Sequence, residues 1–326
     1  MADFTFVVLQ LANYVIPATI LVVLALGLNL QWGHTGLFNS GVAAFVALGA
    51  YIFAMLSTGR FADPVSSWYH WGPPTPWDLV PSALAAMIVC SLLGVLIAIP
   101  TLRLKADYLA IATLALAEII RLIIKNERAT TGGDQTIAYI PRPFGGVVPP
   151  GWSSDGVFIL VVLAISFGLL FLMEFLVRLP WGRALKAVRE DEEAAMALGK
   201  NPFRLKLGSI AVGCAIMGLA GVLTASYGRS VHPDSFPPFL TFTAYVVVIL
   251  GGSGNPRGIV LGGYVFYLFT WGTQQLRVYV QGVSDALALR IDFINQIVIG
   301  LLLILFIMFR PEGIIPEPKY IPRKGR

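Results

Sequence analysis

Hydrophobic positions in this chain neither alternate nor recur on one helix face; they run unbroken for one membrane thickness at a time. Residues 4–59 contain no Asp, Glu, Lys or Arg, enough for two crossings at about 20 residues each. Further uncharged runs cover 80–102, 156–173, 207–228, 235–256, 258–276 and 293–309. Lipid offers the backbone no hydrogen-bonding partner, so such runs predict helices that satisfy their own N–H and C=O groups. Nine hydrophobic segments follow, at roughly 5–30, 37–58, 80–102, 107–124, 156–177, 207–227, 237–252, 258–277 and 291–309. The expected fold class is all-α: a polytopic helical membrane protein, residues 1–326 forming a single transmembrane domain of about nine spans (8–10). A re-entrant segment would change that parity.

Composition agrees with the pattern. The 326 residues are 56% hydrophobic and 13% charged, with mean hydropathy +0.76, where a soluble domain carries about 25% charged residues. The net charge of +5 says more through its distribution than its sign. Placing the 178–206 loop in the cytoplasm also puts 31–36, 103–106, 253–257 and the basic tail 310–326 inside, and with them fifteen of the 23 Lys and Arg. Such a bias sets orientation. The expected topology has the N-terminus outside and the C-terminus in the cytoplasm. Trp68, Tyr69, His70 and Trp71, with Trp77, read as an aromatic belt at the outer interface. Met1-Ala2-Asp3 lacks a basic n-region, so no cleavable signal peptide is expected. Cys90 and Cys214 lie in apolar runs and read as buried thiols rather than a disulfide or metal site. Small residues at helix spacing, among them Gly254, Gly258 and Gly262, favour close helix packing.

Catalytic machinery is missing. His34, His70 and His232 share no metal-ligand spacing, no nucleophile–base constellation can be assembled, and no GxxxxGK[ST] phosphate loop occurs. Neither ATP hydrolysis by this chain nor nucleic-acid binding is expected. Three polar regions stand out against the apolar background. Residues 182–199 (GRALKAVREDEEAAMALG) form a charged island between apolar runs. Within it, 190–198 favours helix by propensity, with Ala194, Ala195 and Leu198 on one face and Arg189, Glu192 and Glu193 on others. Gly199 suits the left-handed residue that ends a helix, and Asn201-Pro202 reads as the cap and first residue of the next. A short helix with small side chains on its packing face is the shape a partner's groove accepts.

The second region, residues 27–41 (GLNLQWGHTGLFNSG), gathers Asn29, Gln31, His34, Thr35, Asn39 and Ser40 among four glycines. It reads either as a cytoplasmic turn or as a broken helix lining a transport pathway. The third is Glu118 with Arg121, one turn apart and about 16 Å along the helix from Asp107, near mid-membrane. Ionisable groups at that depth face a bundle interior or a pathway, and the i,i+3 spacing lets this pair neutralise itself. An ion-coupled secondary transporter would need carboxylates suited to ion coupling, and Glu118 is the one centrally placed candidate.

Taken together, GLNLQWGHTGLFNSG at 27–41, TLRLKADYLAIAT at 101–113, Thr131-Gly132-Gly133, Gly182-Arg183 with Glu193-Ala194-Ala195 and Gly199, and GGSG at 251–254 resemble the LivM-type permeases of branched-chain amino acid ABC importers across nearly the whole chain. The resemblance implies an inner-membrane permease moving branched-chain amino acids inward by alternating access. The 178–206 loop would be an EAA-type loop docking on an ATPase through Arg183, Arg189, Glu190, Glu193, Ala194, Ala195, Leu198 and Gly199. It also implies a second, LivH-type permease, two cytoplasmic ATPase subunits carrying ATP and magnesium, and a periplasmic substrate-binding protein; no cofactor belongs to this chain. The urea-importing branch of the family is similar enough to stand as an alternative for the substrate.

Overall fold

The computed structural model describes residues 2–58, 76–104, 106–128, 130–143, 154–281, 285–310 and 312–317. The aromatic belt expected at 68–71 and the basic tail from Lys319 onward lie outside them. Helix α1 (Ala2–Thr35) carries Pro17 internally, and α2 (Val42–Ser57) follows after six non-helical residues. Then come α3 (Pro76–Thr101), α4 (Ala106–Asn126), α5 (Ser154–Arg178), the short α6 (Pro180–Glu190) and α7 (Glu192–Ala197), α8 (Pro202–Gly228), α9 (Phe239–Gly251), α10 (Pro256–Gln281) and α11 (Asp285–Phe309). One feature departs from the all-α expectation: β1 (Ile137–Ala138) pairs antiparallel with β2 (Ser230–Val231). Two-residue strands are too short to leave an alternating pattern in the sequence.

Among the described residues, five segments are long and apolar enough to cross a membrane: Gln10–Gln31, Leu79–Thr101, Ser154–Arg178, Pro202–Gly228 and Pro233–Gly251. Their burial separates centre from periphery. The apolar window of α1 is 72% buried and that of α8 61%, whereas those of α3 and α5 are 28% buried. The outer face of α3 is a stripe of exposed Val80, Leu84, Ile88, Leu92 and Leu96, and α5 shows Leu160, Phe167, Phe171 and Phe175. In water such continuous apolar faces would drive association; in lipid they are solvated.

Because lipid is as apolar as leucine, contact between spans rests on close packing and hydrogen bonds. A Cβ on Gly49 would stand 2.2 Å from the Gly218 carbonyl oxygen, and one on Gly221 would stand 2.0 Å from that of Val46, so α2 lies directly on the backbone of α8. Gly251 and Gly258 join α9 to α10 in the same way, with 2.2–2.5 Å between each virtual Cβ and the other's carbonyl oxygen. Cys90 and Cys214, both free and buried, fill the α3–α8 seam against Gly218 and Gly94.

The bundle has two chemically distinct ends. One carries α6, α7, the 252–255 turn and residues 312–317; the other carries the β-ladder, the Pro233–Ser235 turn and the start of α5. Tyr227 at the end of α8 donates to Asn13 of α1 at 3.2 Å, which puts the first turns of α1 at the β-ladder end.

Candidate translocation cavity and docking loop

At the α6/α7 end, the charged island folds as two helices rather than the single one expected over 190–198. Asp191 is extended (φ −153, ψ 107), ends α6, and caps α7 by accepting from the Ala194 N–H at 2.9 Å. An aspartate prefers capping to a helix interior because its carboxylate competes for backbone N–H groups. Gly199 then takes φ +75, with Gly199 N–H donating to the Met196 carbonyl at 2.9 Å and Lys200 N–H to Ala195 at 3.1 Å. That reciprocal pair is the Schellman ending. Asn201 caps α8 through the Arg204 N–H at 3.1 Å, with Pro202 at its first position.

Arg183, Glu190, Glu193, Ala194, Leu198 and Gly199 are exposed. Arg189 and Ala195 face inward: Ala195 is buried, and Arg189 donates to the Gly33 carbonyl and, at 2.8 Å, to Glu317. Met196, Leu198 and Phe203 are exposed by 50%, 80% and 39% at the same corner. Of the three residues expected on one packing face, Ala194 and Leu198 are exposed and Ala195 is buried, and the exposed Met196 and Phe203 were not among them. Apolar residues in a loop outside the lipid were the signal for them.

The 27–41 region is not a simple turn: the helix stops inside its polar run. The helix α1 continues to Thr35, and the chain then climbs, non-helical, to α2, with Leu37, Asn39 and Gly41 buried. Gly36 lies against Arg189 at the end of the bundle, while the Ser40 N–H donates to Thr113 Oγ1 at 3.0 Å. Thr113 is about 10 Å into α4 at the usual rise, and four extended residues span about 13 Å. The segment therefore enters the bundle interior, where exposed backbone polar groups are tolerated only when paired within protein.

The pairing is dense. Asn29 Oδ1 accepts from the Gly254 N–H at 2.8 Å, and Asn39 Nδ2 donates to Gln31 Oε1 at 2.8 Å. Gln31 Nε2 donates to the Ile210 carbonyl at 3.3 Å, and Thr35 donates to Ser209 Oγ at 2.7 Å. Tyr245 donates to the Asn39 carbonyl at 3.1 Å and stacks on Phe38. Beside this network His34 is 1% exposed, and neither ring nitrogen has a hydrogen-bond partner among the described residues. Burial, with help from the positive charges of Lys186 and Arg189 and against the pull of Glu317, lowers its pKa to about 4.

A cavity of about 550 Å³ opens between α1, α8, α9, α10 and α11. Tyr227, Ser235 and Phe236 lie at its β-ladder end, and Leu24 and Val46 lie deep within it. Thr224, Thr243, Thr270 and Gln274 supply polar groups, and among the described residues no charged side chain lines it. Glu118 and Arg121 are not in its wall. Arg121 Nη2 lies 2.6 Å from Glu118, and its Nη1 lies 2.9 Å from Asp234, with Lys125 3.1 Å from the same aspartate. The pair thus sits nearer the β-ladder end than the mid-membrane depth expected from counting along the helix, half exposed and tied to the loop that carries Ser235 and Phe236. The sequence contained no sign that Asp234 would reach it.

Comparison with known proteins agrees with this architecture. Residues 10–307 match the family described as "Branched-chain amino acid transport system / permease component". The chain is 32% identical to the high-affinity branched-chain amino acid transport system permease protein LivM of Salmonella typhimurium, covering 91% of this chain and 68% of that one. It is 28% identical to the probable LivM of Methanocaldococcus jannaschii (92% and 91% covered) and 24% identical to the LivH permease of Salmonella typhimurium (97% and 98% covered). No solved structure matches the chain. On the strength of the match over residues 10–307, the chain belongs to the family of permease components of branched-chain amino acid transport systems.

Proposed function

We propose that this chain is a transmembrane permease subunit of an ATP-driven importer that carries branched-chain amino acids into the cytoplasm by alternating access. The observation that carries the reading is the 550 Å³ cavity, lined by no charged side chain among the described residues, with a buried polar network farther along α1 from Asn29 onward. Apolar walls suit an aliphatic side chain, while neutral hydroxyls and amides can meet the ammonium and carboxylate. A pathway without fixed charges binds loosely enough to release what enters it. Asn29, Gln31, His34, Asn39 and Ser40 form its inner closure in this state, and Glu118 and Arg121 brace the loop at its mouth.

Orientation follows from charge: the α6/α7 end, with Arg178, Arg183, Lys186, Arg189, Lys200, Arg204, Lys206 and Arg257, faces the cytoplasm of a bacterial inner membrane. Among the described residues, α1 to α5 and α8 to α11 alternate in direction between the two ends, which supports nine crossings with the N-terminus periplasmic and the C-terminus cytoplasmic. The exposed corner of Glu193, Ala194, Met196, Leu198, Gly199 and Phe203, flanked by Arg183 and Glu190, docks on an ATPase subunit; Arg189 and Ala195 hold that corner from behind. Two such ATPases supply ATP and magnesium, a LivH-type permease completes the membrane core, and a periplasmic binding protein delivers substrate. The test is uptake by the reconstituted complex, with labelled leucine competed by valine, alanine and urea. ATP-dependent uptake displaced by valine and not by urea is the expected result; nucleotide-independent flux would overturn the reading.

A further inference from the structure

The charged side chains on the inner face of α6 meet an anion from an unexpected quarter. Lys186 and Arg189 stand three residues apart, on one face of the helix, beside the buried Leu185 and Val188. Lys186 Nζ lies 2.5 Å from Glu317 Oε1, and Arg189 Nη2 lies 2.8 Å from Glu317 Oε2. All three side chains are largely covered, at 22–24% exposure. Burial pushes the Glu317 carboxyl upward, but the hydrogen bonds and charges of Lys186 and Arg189 outweigh it and hold the group below the usual carboxylate range.

Glu317 ends a segment that is itself fastened. Ile314 N–H donates to the Leu250 carbonyl at 2.9 Å, Ile315 N–H to Gly251 at 3.2 Å, and Asn255 Nδ2 to the Pro316 carbonyl at 3.0 Å. Gly313 and Gly252 are pressed together so closely that a Cβ on either glycine would overlap backbone. The Glu317 carboxylate also abuts Gly254, whose virtual Cβ would stand 2.7 Å from it, and Gly254 N–H is the donor to Asn29 of the buried polar network.

We propose that Glu317 is a positioning residue that clasps α6 to the transmembrane core, so that the segment after the last helix sets where the docking loop stands. The proposal rests on the importer reading given above. Continuous contact runs from α7 through α6 to Glu317, then to Gly254 and Asn29. Motion imposed on the docking corner would thus reach the inner closure through this carboxylate. Without it, two partly buried cations face each other and the closure with no counter-charge, a strongly unfavourable arrangement.

The test uses the full complex, permeases with ATPase subunits and binding protein, in proteoliposomes. Glu317→Gln should assemble with its ATPases while uptake per ATP hydrolysed falls about tenfold, in the range typical of coupling between sites. The charge exchange Lys186→Glu with Glu317→Lys should restore uptake per ATP to near the parent value. Should Glu317→Gln yield no folded complex, the exchange decides: a folded, coupled exchange variant supports the clasp, and a failed one overturns it. Unchanged coupling in Glu317→Gln overturns it as well. A spin label on Ala187→Cys, exposed on α6, gives a readout independent of the ATPases: it should become more mobile in Glu317→Gln, and unchanged mobility counts against the clasp. If the parent complex itself moves substrate without ATP, the importer reading has failed instead.

Discussion

Gly199 shows how a single backbone angle shapes the proposed docking corner. At φ +75 a side chain suffers the left-handed penalty of about 1–2 kcal/mol, although no atom lies within 4 Å of its virtual Cβ. Gly199→Val should therefore leave the bundle intact, loosen the end of α7, and lower ATP-coupled uptake several-fold in vesicles. Space rather than angle governs Gly49. A larger residue there meets the backbone of Gly218, and overpacking costs about 1–3 kcal/mol or more. Gly49→Leu should sharply reduce the folded yield in detergent, while Gly168→Leu, with nothing within 4 Å, should not. His34 gives a pH dependence. Its pKa falls from 6.5 to about 4 on folding, so between those values the unfolded chain binds more protons and stability falls as pH drops through that window. The loss is on the order of 3 kcal/mol and levels off below about pH 4. Glu317, whose carboxyl is held below its usual range, contributes stability that is complete above its unfolded pKa of 4.5 and is lost lower down. Thermal unfolding across pH 4 to 7 should therefore be steeper for the parent than for His34→Gln, and equal slopes would refute the assignment.

Among the elements, α4 and α7 make opposite use of charge. Arg121 of α4 has two acidic partners, Glu118 and Asp234, and Lys125 shares the second. Glu118→Gln therefore leaves Arg121 paired, whereas Arg121→Gln strips Glu118 of its guanidinium. These groups are partly exposed, so the difference should be modest, about 1 kcal/mol or less, with Arg121→Gln the more harmful in thermal unfolding. Equal losses from both changes would mean that Asp234 plays no part. On α7 the charges are exposed, and only Ala195 is buried. Glu193→Lys or Leu198→Asp should thus leave folding unchanged, within about 0.5 kcal/mol, and reduce ATPase co-purification. Retention of the ATPases by both variants would remove the corner from the interface.

Across the whole molecule, what distinguishes the two ends is which loops they carry. Ser154 begins α5 at the β-ladder end and Ala187 is exposed on α6 at the other. A cysteine at Ser154 should react with an impermeant thiol reagent added to intact spheroplasts, and one at Ala187 only after the membrane is opened. The reverse pattern would invert the topology and place the docking corner where no ATPase can reach it.

The positions of α3, α5 and α8 were readable from uncharged runs at 80–102, 156–173 and 207–228, because a span in lipid must close its own hydrogen bonds and has few other ways to do so. Local chemistry also foretold the ending at Gly199 and the start at Asn201-Pro202, since caps involve neighbours within one turn. Asp191 was locally readable too, as a residue that favours caps, but strong helix formers on both sides concealed it. What escaped the sequence pairs distant residues. Asn29 meets Gly254, Thr35 meets Ser209, Arg121 meets Asp234, and Glu317 meets Lys186 and Arg189. Whether Asn29 and its neighbours made a turn or entered the bundle, and whether the acid at 317 was solvated or clasped, depended on partners 73 or more positions away. Hydropathy records only that a residue must leave water. Which group it then meets depends on how the helices pack, and in lipid close approach at glycines such as Gly49, Gly218 and Gly251 sets that packing.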